Sequence, residues 1–240
     1  MIGGPACLLV FAKVPRPGRV KTRLTPPLSP GWAARLYEAF LRDALDAYAA
    51  QATGAADPLG LGEPLAVRLY LDVEPPPDLA PEAVEVRLQS GHGLGERMAR
   101  AFATAFADGY ERVAVVGTDH PTLPLAVLGE AFRQLREPMT CALAPSDDGG
   151  YVFLGLNDLA PALFDMAFSH DAVFADTLRE ANASGLRAVV LPEHYDVDSG
   201  EDLARLVSEW RGGAPVGPRT GRALAALTDA LPAYFRDPSP

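Results

Sequence analysis

The feature that most constrains the fold is an alternation of short, continuously apolar runs with segments patterned for helix. "CLLVFA" (Cys7–Ala12) and "VAVV" (Val113–Val116) are apolar at every position, as strands covered on both faces are. "AVRLYL" (Ala66–Leu71), Val84–Leu88, Thr140–Ala144, Tyr151–Leu156 and Arg187–Leu191 are further strand candidates. Between them, Pro30 opens a helical pattern over Trp32–Ala50, with Leu36, Tyr37, Phe40, Leu41, Ala44 and Leu45 at helical spacing. Other helices are expected near Leu94–Ala107, Leu125–Leu135, Asp171–Ala183, Gly200–Trp210 and Ala223–Leu231. This order predicts an α/β fold on one mostly parallel, doubly wound sheet with helices on both faces. A chain of 240 residues suits one such domain, with 212–240 as a helical tail.

Doubly wound sheets bind ligands outside the carboxyl ends of their strands. Three polar clusters sit there: "KVPRPGRVKTR" after the first strand, "GTDHP" after "VAVV", and "SDDGG" after "CALA". They are expected to converge on one crevice. The first cluster is the most unusual. The chain is acidic, at formal charge −10, yet Lys13, Arg16, Arg19, Lys21 and Arg23 fall within eleven residues free of Asp and Glu. An even spread of cations would put about one there. Cations beside a flexible Gly18, where backbone N–H groups can approach closely, suit phosphate oxygens. A solvated basic turn is the alternative. The spacings of a Walker A loop and of a dinucleotide fingerprint are both missing from this loop, and "GHGLGERM" (Gly91–Met98) reads equally well as a tight turn into a helix.

Asp119 follows a buried strand, so its carboxylate is held rigidly where a divalent ion could bridge it to phosphate; a turn or cap role is the alternative. His120 beside it has no second His at ligand spacing, which favours a structural or substrate-contact role. In "HYDVDSGEDL" (His194–Leu203), Ser199 with Glu201 and Asp202 reads as a helix start, which leaves Asp196 and Asp198 without that explanation. One carboxylate from "GTD" and one from "DVD" suit an octahedral ion that keeps several waters. An acidic chain is a poor candidate for nucleic acid or an anionic membrane surface. The apolar start lacks a basic lead and breaks at Lys13, so no signal peptide or membrane span is expected. Cys7 and Cys141 read as buried thiols in a reducing compartment, which points to the cytoplasm.

Four segments in this order, "FAKVPRPGRVKTRL", "VVGTDHPTLP", "APSDDGGYVFLGL" and "YDVDSGEDL", resemble the rSAM/selenodomain-associated transferase family, within the nucleotide-diphospho-sugar transferase superfamily of GT-A fold. "KTRL" is also similar to the "K-S-R-L" loop of 2-phospho-L-lactate guanylyltransferases. The resemblance spans most of residues 7–206. It implies a mixed sheet with one antiparallel strand, Mg²⁺ or Mn²⁺ on Asp119 and Asp198, and Asp148, Gly149 and Gly150 on the acceptor or sugar side. His120, and "FSHD" at Phe168–Asp171, depart from the family's usual residues at those places, which bears on the acceptor.

The expected reaction is glycosyl transfer from a nucleotide-diphosphate sugar to a small-molecule acceptor. The metal and the basic loop would stabilise the leaving diphosphate, with Asp148 as the base of an inverting reaction. The alternative is nucleotidyl transfer from a nucleoside triphosphate to a phosphorylated or carboxylated acceptor. Arg19, Lys21 and Arg23 would then hold the departing pyrophosphate, and little base catalysis would be needed. An inactive nucleotide-binding or assembly protein is a third reading.

Overall fold

The structure is a computed structural model that describes residues 3–168, 170–232, 234 and 235. Its centre is a seven-stranded sheet in the order β3-β2-β1-β4-β6-β5-β7. The strands are β1 (Ala6–Ala12), β2 (Ala66–Leu71), β3 (Glu85–Leu88), β4 (Arg112–Val116), β5 (Thr140–Pro145), β6 (Tyr151–Leu156) and β7 (Arg187–Val190). The helices are α1 (Pro30–Thr53), α2 (Gly93–Ala107), α3 (Leu125–Gln134), α4 (Val173–Ala183), α5 (Gly200–Arg211) and α6 (Pro218–Ala230).

The sheet is mixed. β6 alone runs antiparallel, pairing with β4 on one side and β5 on the other. The reason lies in the connection: only Ser146–Gly150 separate β5 from β6. A parallel return needs a crossover of a dozen residues or more, so these two strands can only form a hairpin. The sheet is thus mostly parallel, as strand–helix alternation leads one to expect, with the one antiparallel strand that the family resemblance implies.

Continuous apolar runs become strands because both sheet faces are covered. Leu8, Val10, Ala114 and Val116 face one side, against Leu41, Leu45 and Tyr48 of α1 and Leu128 and Phe132 of α3. Cys7, Leu9, Val113 and Val115 face the other, against Met98 and Phe102 of α2. Burial pushes the thiols of Cys7 and Cys141 up to about 12, so both stay protonated and behave as small apolar groups.

A third apolar cluster joins α5 and α6 to the outer surface of α1 through Leu36, Phe40, Leu203, Leu206, Leu224 and Leu227. The helix expected near Ala223–Leu231 begins earlier, at Pro218. Its N-cap, Gly217, offers no side chain. The carboxylate of Asp43 on α1 instead accepts the backbone N–H of Arg219 at 3.1 Å and of Thr220 at 2.7 Å. A side chain 176 positions upstream thus does the work of a cap. Asp43→Ala is expected to lower stability by about 1–2 kcal/mol, the range for losing a good cap. For a chain of this size that is a fall of roughly 2–8 °C in thermal midpoint, measurable by calorimetry.

Candidate functional site

The strand order reverses between β1 and β4: the chain leaves β1 toward β2 and β3, then crosses back to lay β4 on the other side. At the carboxyl ends of these strands lies a cleft of about 550 Å³, lined among others by Lys13, Lys21, Arg23, Arg97, Asp119 and Asp198.

Two apolar anchors hold the basic loop. Val20 packs on Ala34 and Tyr37 of α1, and fully buried Leu24 joins the cluster with Leu28 and Phe40. Lys21 lies between the anchors in the left-handed region, at φ 47, and begins the short 3-10 turn Thr22–Leu24. Its aliphatic stem is therefore covered, and its side chain is only 3% exposed. The ammonium sits 2.8 Å from Asp119 Oδ1 and 2.7 Å from Asp198 Oδ1. Burial by itself would lower its pKa, but the two carboxylates outweigh this and raise it.

Each carboxylate has its own support. Asp119 follows β4, and its backbone oxygen accepts the N–H of Val197 at 2.8 Å, which fastens "GTD" to "DVD". Asp198 precedes a capping box in which Ser199 Oγ accepts from Asp202 N and Asp202 Oδ2 accepts from Ser199 N. Asp202 Oδ2 also accepts the N–H of Asp198 at 3.1 Å. The cap accounts for Ser199 and Asp202, while the side chain of Asp198 is directed at Lys21.

The other sequence candidates are distributed around this centre. Lys13 lines the cleft, and its backbone N–H donates to the Tyr37 hydroxyl at 2.9 Å. Arg23 lies 4.0 Å from Asp198 Oδ2, with three-quarters of its side chain exposed. Gly18 and Arg19 form an exposed turn closed by Arg19 N to Arg16 O, outside the cleft lining. Asp148, Gly149 and Gly150 do not line the cleft either. Asp148 Oδ1 accepts the N–H of Gly150, and Gly149, at φ +89, packs so closely on the backbone of Asp171 that no Cβ would fit. The "SDDGG" turn does reach the site's support, because Ser146 Oγ donates to Asp196 Oδ2 at 2.9 Å. Burial would raise the Asp196 pKa, but hydrogen bonds from His120 and Ser146 hold it below the usual value. His120 is turned away from the cleft: it is buried, with Nδ1 3.2 Å from Asp196 Oδ1.

The sequence reasoning missed Tyr37, Gln89 and Arg97, which also line the cleft. Gln89 follows β3 directly, at a strand's carboxyl end, and that position was the available signal. Its amide donates to the backbone oxygens of Ala12 and Tyr70, and its Oε1 accepts from Arg97 at 3.2 Å. Tyr37 sits within the apolar stripe of α1 and carries no such signal.

The donor set of Asp119 and Asp198 suits Mg²⁺ or Mn²⁺. Both are hard oxygen ligands, 38% and 42% exposed, and each meets Lys21 through Oδ1, while Asp198 Oδ2 faces Arg23 at 4.0 Å. Among the described residues, no group of three or more His, Cys, Asp or Glu could cage a metal alone. Such an ion would share its shell with water or ligand phosphate, as is usual for Mg²⁺.

Residues 63–170 match the model of a family described as an uncharacterized protein conserved in bacteria (DUF2064). That segment contains "GTDHP" and "SDDGG" but neither the basic loop nor "DVD". No curated protein matches the chain. Among solved structures, a provisionally named nucleotide-diphospho-sugar transferase from Desulfovibrio desulfuricans G20 superposes with TM-score 0.80 at 29% identity, covering 96% of this chain and 97% of that one. A cytidylyltransferase from Leptospira borgpetersenii gives TM-score 0.51 at 10% identity over 98% and 99% of the two chains, a likeness of fold alone. The bifunctional IspDF of Campylobacter jejuni gives TM-score 0.51 at 13% identity over 83% of this chain and 53% of its own, again a likeness of fold. The α/β fold seen here is that of nucleotide-diphospho-sugar transferase-like structures.

Lys21→Met would leave Asp119 and Asp198 side by side without a countercharge. The expected loss is about 1 kcal/mol, kept small because both carboxylates retain solvent. Millimolar Mg²⁺ should raise the thermal midpoint of this variant more than that of the unaltered protein. Equal metal response in both would show that the ammonium's charge does not oppose an ion at these carboxylates.

Proposed function

We propose that this chain is a metal-dependent transferase whose donor is a nucleotide-diphosphate sugar, and that it falls with the rSAM/selenodomain-associated transferases. The observation that carries this reading is the meeting of Lys21, Asp119 and Asp198 in the cleft where the strand order reverses. The likeness, across nearly the whole of both chains, to the Desulfovibrio protein supports the sugar-nucleotide donor.

In this reading Lys13, Lys21 and Arg23 receive the donor's phosphates, with Arg19 at the entrance. Asp119 and Asp198 hold Mg²⁺ or Mn²⁺, which when bound neutralises charge on the departing diphosphate. Lys21 adds a fixed positive charge that no pH change in the neutral range removes, since its pKa is raised. Its pre-set position costs no reorganisation when the leaving group develops charge. Asp148, Gly149 and Gly150, at the same edge of the sheet, would face the acceptor, with Asp148 taking its proton. Two free, buried thiols suit a reducing cytoplasm, and no described helix is long and apolar enough to cross a membrane.

One observation favours nucleotidyl transfer instead. Among the described residues the cleft holds Lys13, Lys21, Arg23 and Arg97 but no carboxylate besides Asp119 and Asp198, and Asp148 lies outside its lining. A triphosphate suits such a cation-rich cleft, and its chemistry asks for little base catalysis.

Lys21→Ala and Arg23→Ala are each expected to weaken nucleotide binding by about 1.5–3 kcal/mol, measured by calorimetric titration in Mg²⁺. Unchanged affinity in both would return the loop to a solvated turn. Asp119→Asn should abolish metal-dependent turnover while leaving the fold intact by circular dichroism. The products separate the two reactions. Release of a nucleoside diphosphate from a sugar nucleotide means glycosyl transfer, whereas pyrophosphate from a triphosphate means nucleotidyl transfer. If no sugar nucleotide or triphosphate binds in a metal-dependent way, neither reaction stands.

A further inference from the structure

We propose a second small-molecule site, separate from the transfer cleft, that takes a compact, largely apolar molecule carrying a hydroxyl group. A cavity of about 420 Å³ opens between α1, the loop after β4 and the start of α6. Phe40 and Ala47 of α1, Leu123 of the loop and Val216 before α6 give it hydrocarbon walls. Polar side chains interrupt them: Asp43, whose carboxylate is occupied by the N–H groups at the start of α6, Thr118, His120, Thr122 and, from α6, Thr220.

His120 and Thr220 are buried, at 6% and 0% exposure. Nδ1 of His120 is taken by Asp196, which fixes the ring, while Nε2 has no hydrogen-bond partner among the described residues. Thr220 Oγ1 also has none. Buried polar atoms are almost always paired, and Thr118 Oγ1 is unpaired as well, so three such atoms on residues lining one cavity call for a partner from outside the chain. Apolar walls with a few converging polar atoms are the usual composition of a small-molecule site. A hydroxyl both donates and accepts, so it satisfies Nε2 in either protonation state and can serve Thr220 as well. The site lies behind Thr118–His120, so it stands whether or not the cleft carries out the proposed transfer.

The test uses the full chain with benzyl alcohol and toluene as probes, followed by NMR of the His120 ring. Benzyl alcohol should bind saturably and shift the His120 signals, at least tenfold more tightly than toluene. Ala47→Trp, or Ala126→Trp at the rim, fills the space and should remove binding. His120→Phe should remove the preference for the hydroxyl. The proposal is overturned if benzyl alcohol does not saturate, if both probes bind equally, or if a soaked crystal shows an ordered water alone on Nε2. It is equally overturned if binding survives both tryptophan variants. Should His120→Phe fail to fold, the comparison of the two probes on the unaltered protein decides.

Discussion

Two carboxylates held side by side repel each other, and in this protein a single lysine offsets that repulsion. Lys21 meets Asp119 and Asp198 at ion-pair distance with its own side chain almost wholly covered. An ammonium removed from water needs such partners, and the partners need it. Its neighbours exist to hold this triad: Val20 and Leu24 anchor the loop, the Asp119 backbone ties to Val197, and Asp202 fixes the backbone of Asp198. The rest of the chain supplies the frame, since the three segments are brought together by strands that all end at one edge of the sheet.

The same triad explains why an acidic protein concentrates cations in one place. With a net charge of −10, the chain as a whole repels phosphate. A local patch can attract it only if the cations lie closer to the ligand than the bulk of the negative charge, within about a Debye length of 8 Å. Lys13, Lys21, Arg23 and Arg97 gather around one cleft, together with Asp119 and Asp198.

The strands were legible because a sheet covered on both faces demands unbroken apolar runs, and "CLLVFA" and "VAVV" are such runs. That one strand runs antiparallel was implied by the family resemblance, while in the residues themselves it shows only in the short turn before β6, a signal weaker than strand–helix alternation. The start of α6 was hidden, because its cap comes from Asp43 on another helix. In the site, Lys21 and Asp119 could be named from their places after strands, and a carboxylate of "DVD" from its place before a helix, with the family resemblance choosing Asp198. The directions of Asp148 and His120 could not. A residue beside a turn can point to either side, and the hydrogen bonds that decide it, His120 to Asp196 and Asp148 to Gly150, come from the folded surroundings.

The reversed strand β6 also has a bearing on how such a protein can diversify. The Ser146–Gly150 turn is rooted at both ends in the sheet, by β5 and by β6. A segment so tethered can be lengthened or rewritten with a modest loop-closure cost while its two roots stay in register. The triad around Lys21 hangs instead on β1 and β4, two strands away from that turn's outer root. Within the turn Ser146 is bonded to Asp196 and Gly149 has no room for a Cβ, so such rewriting would concentrate at Asp147 and Asp148 while the charged triad stays fixed.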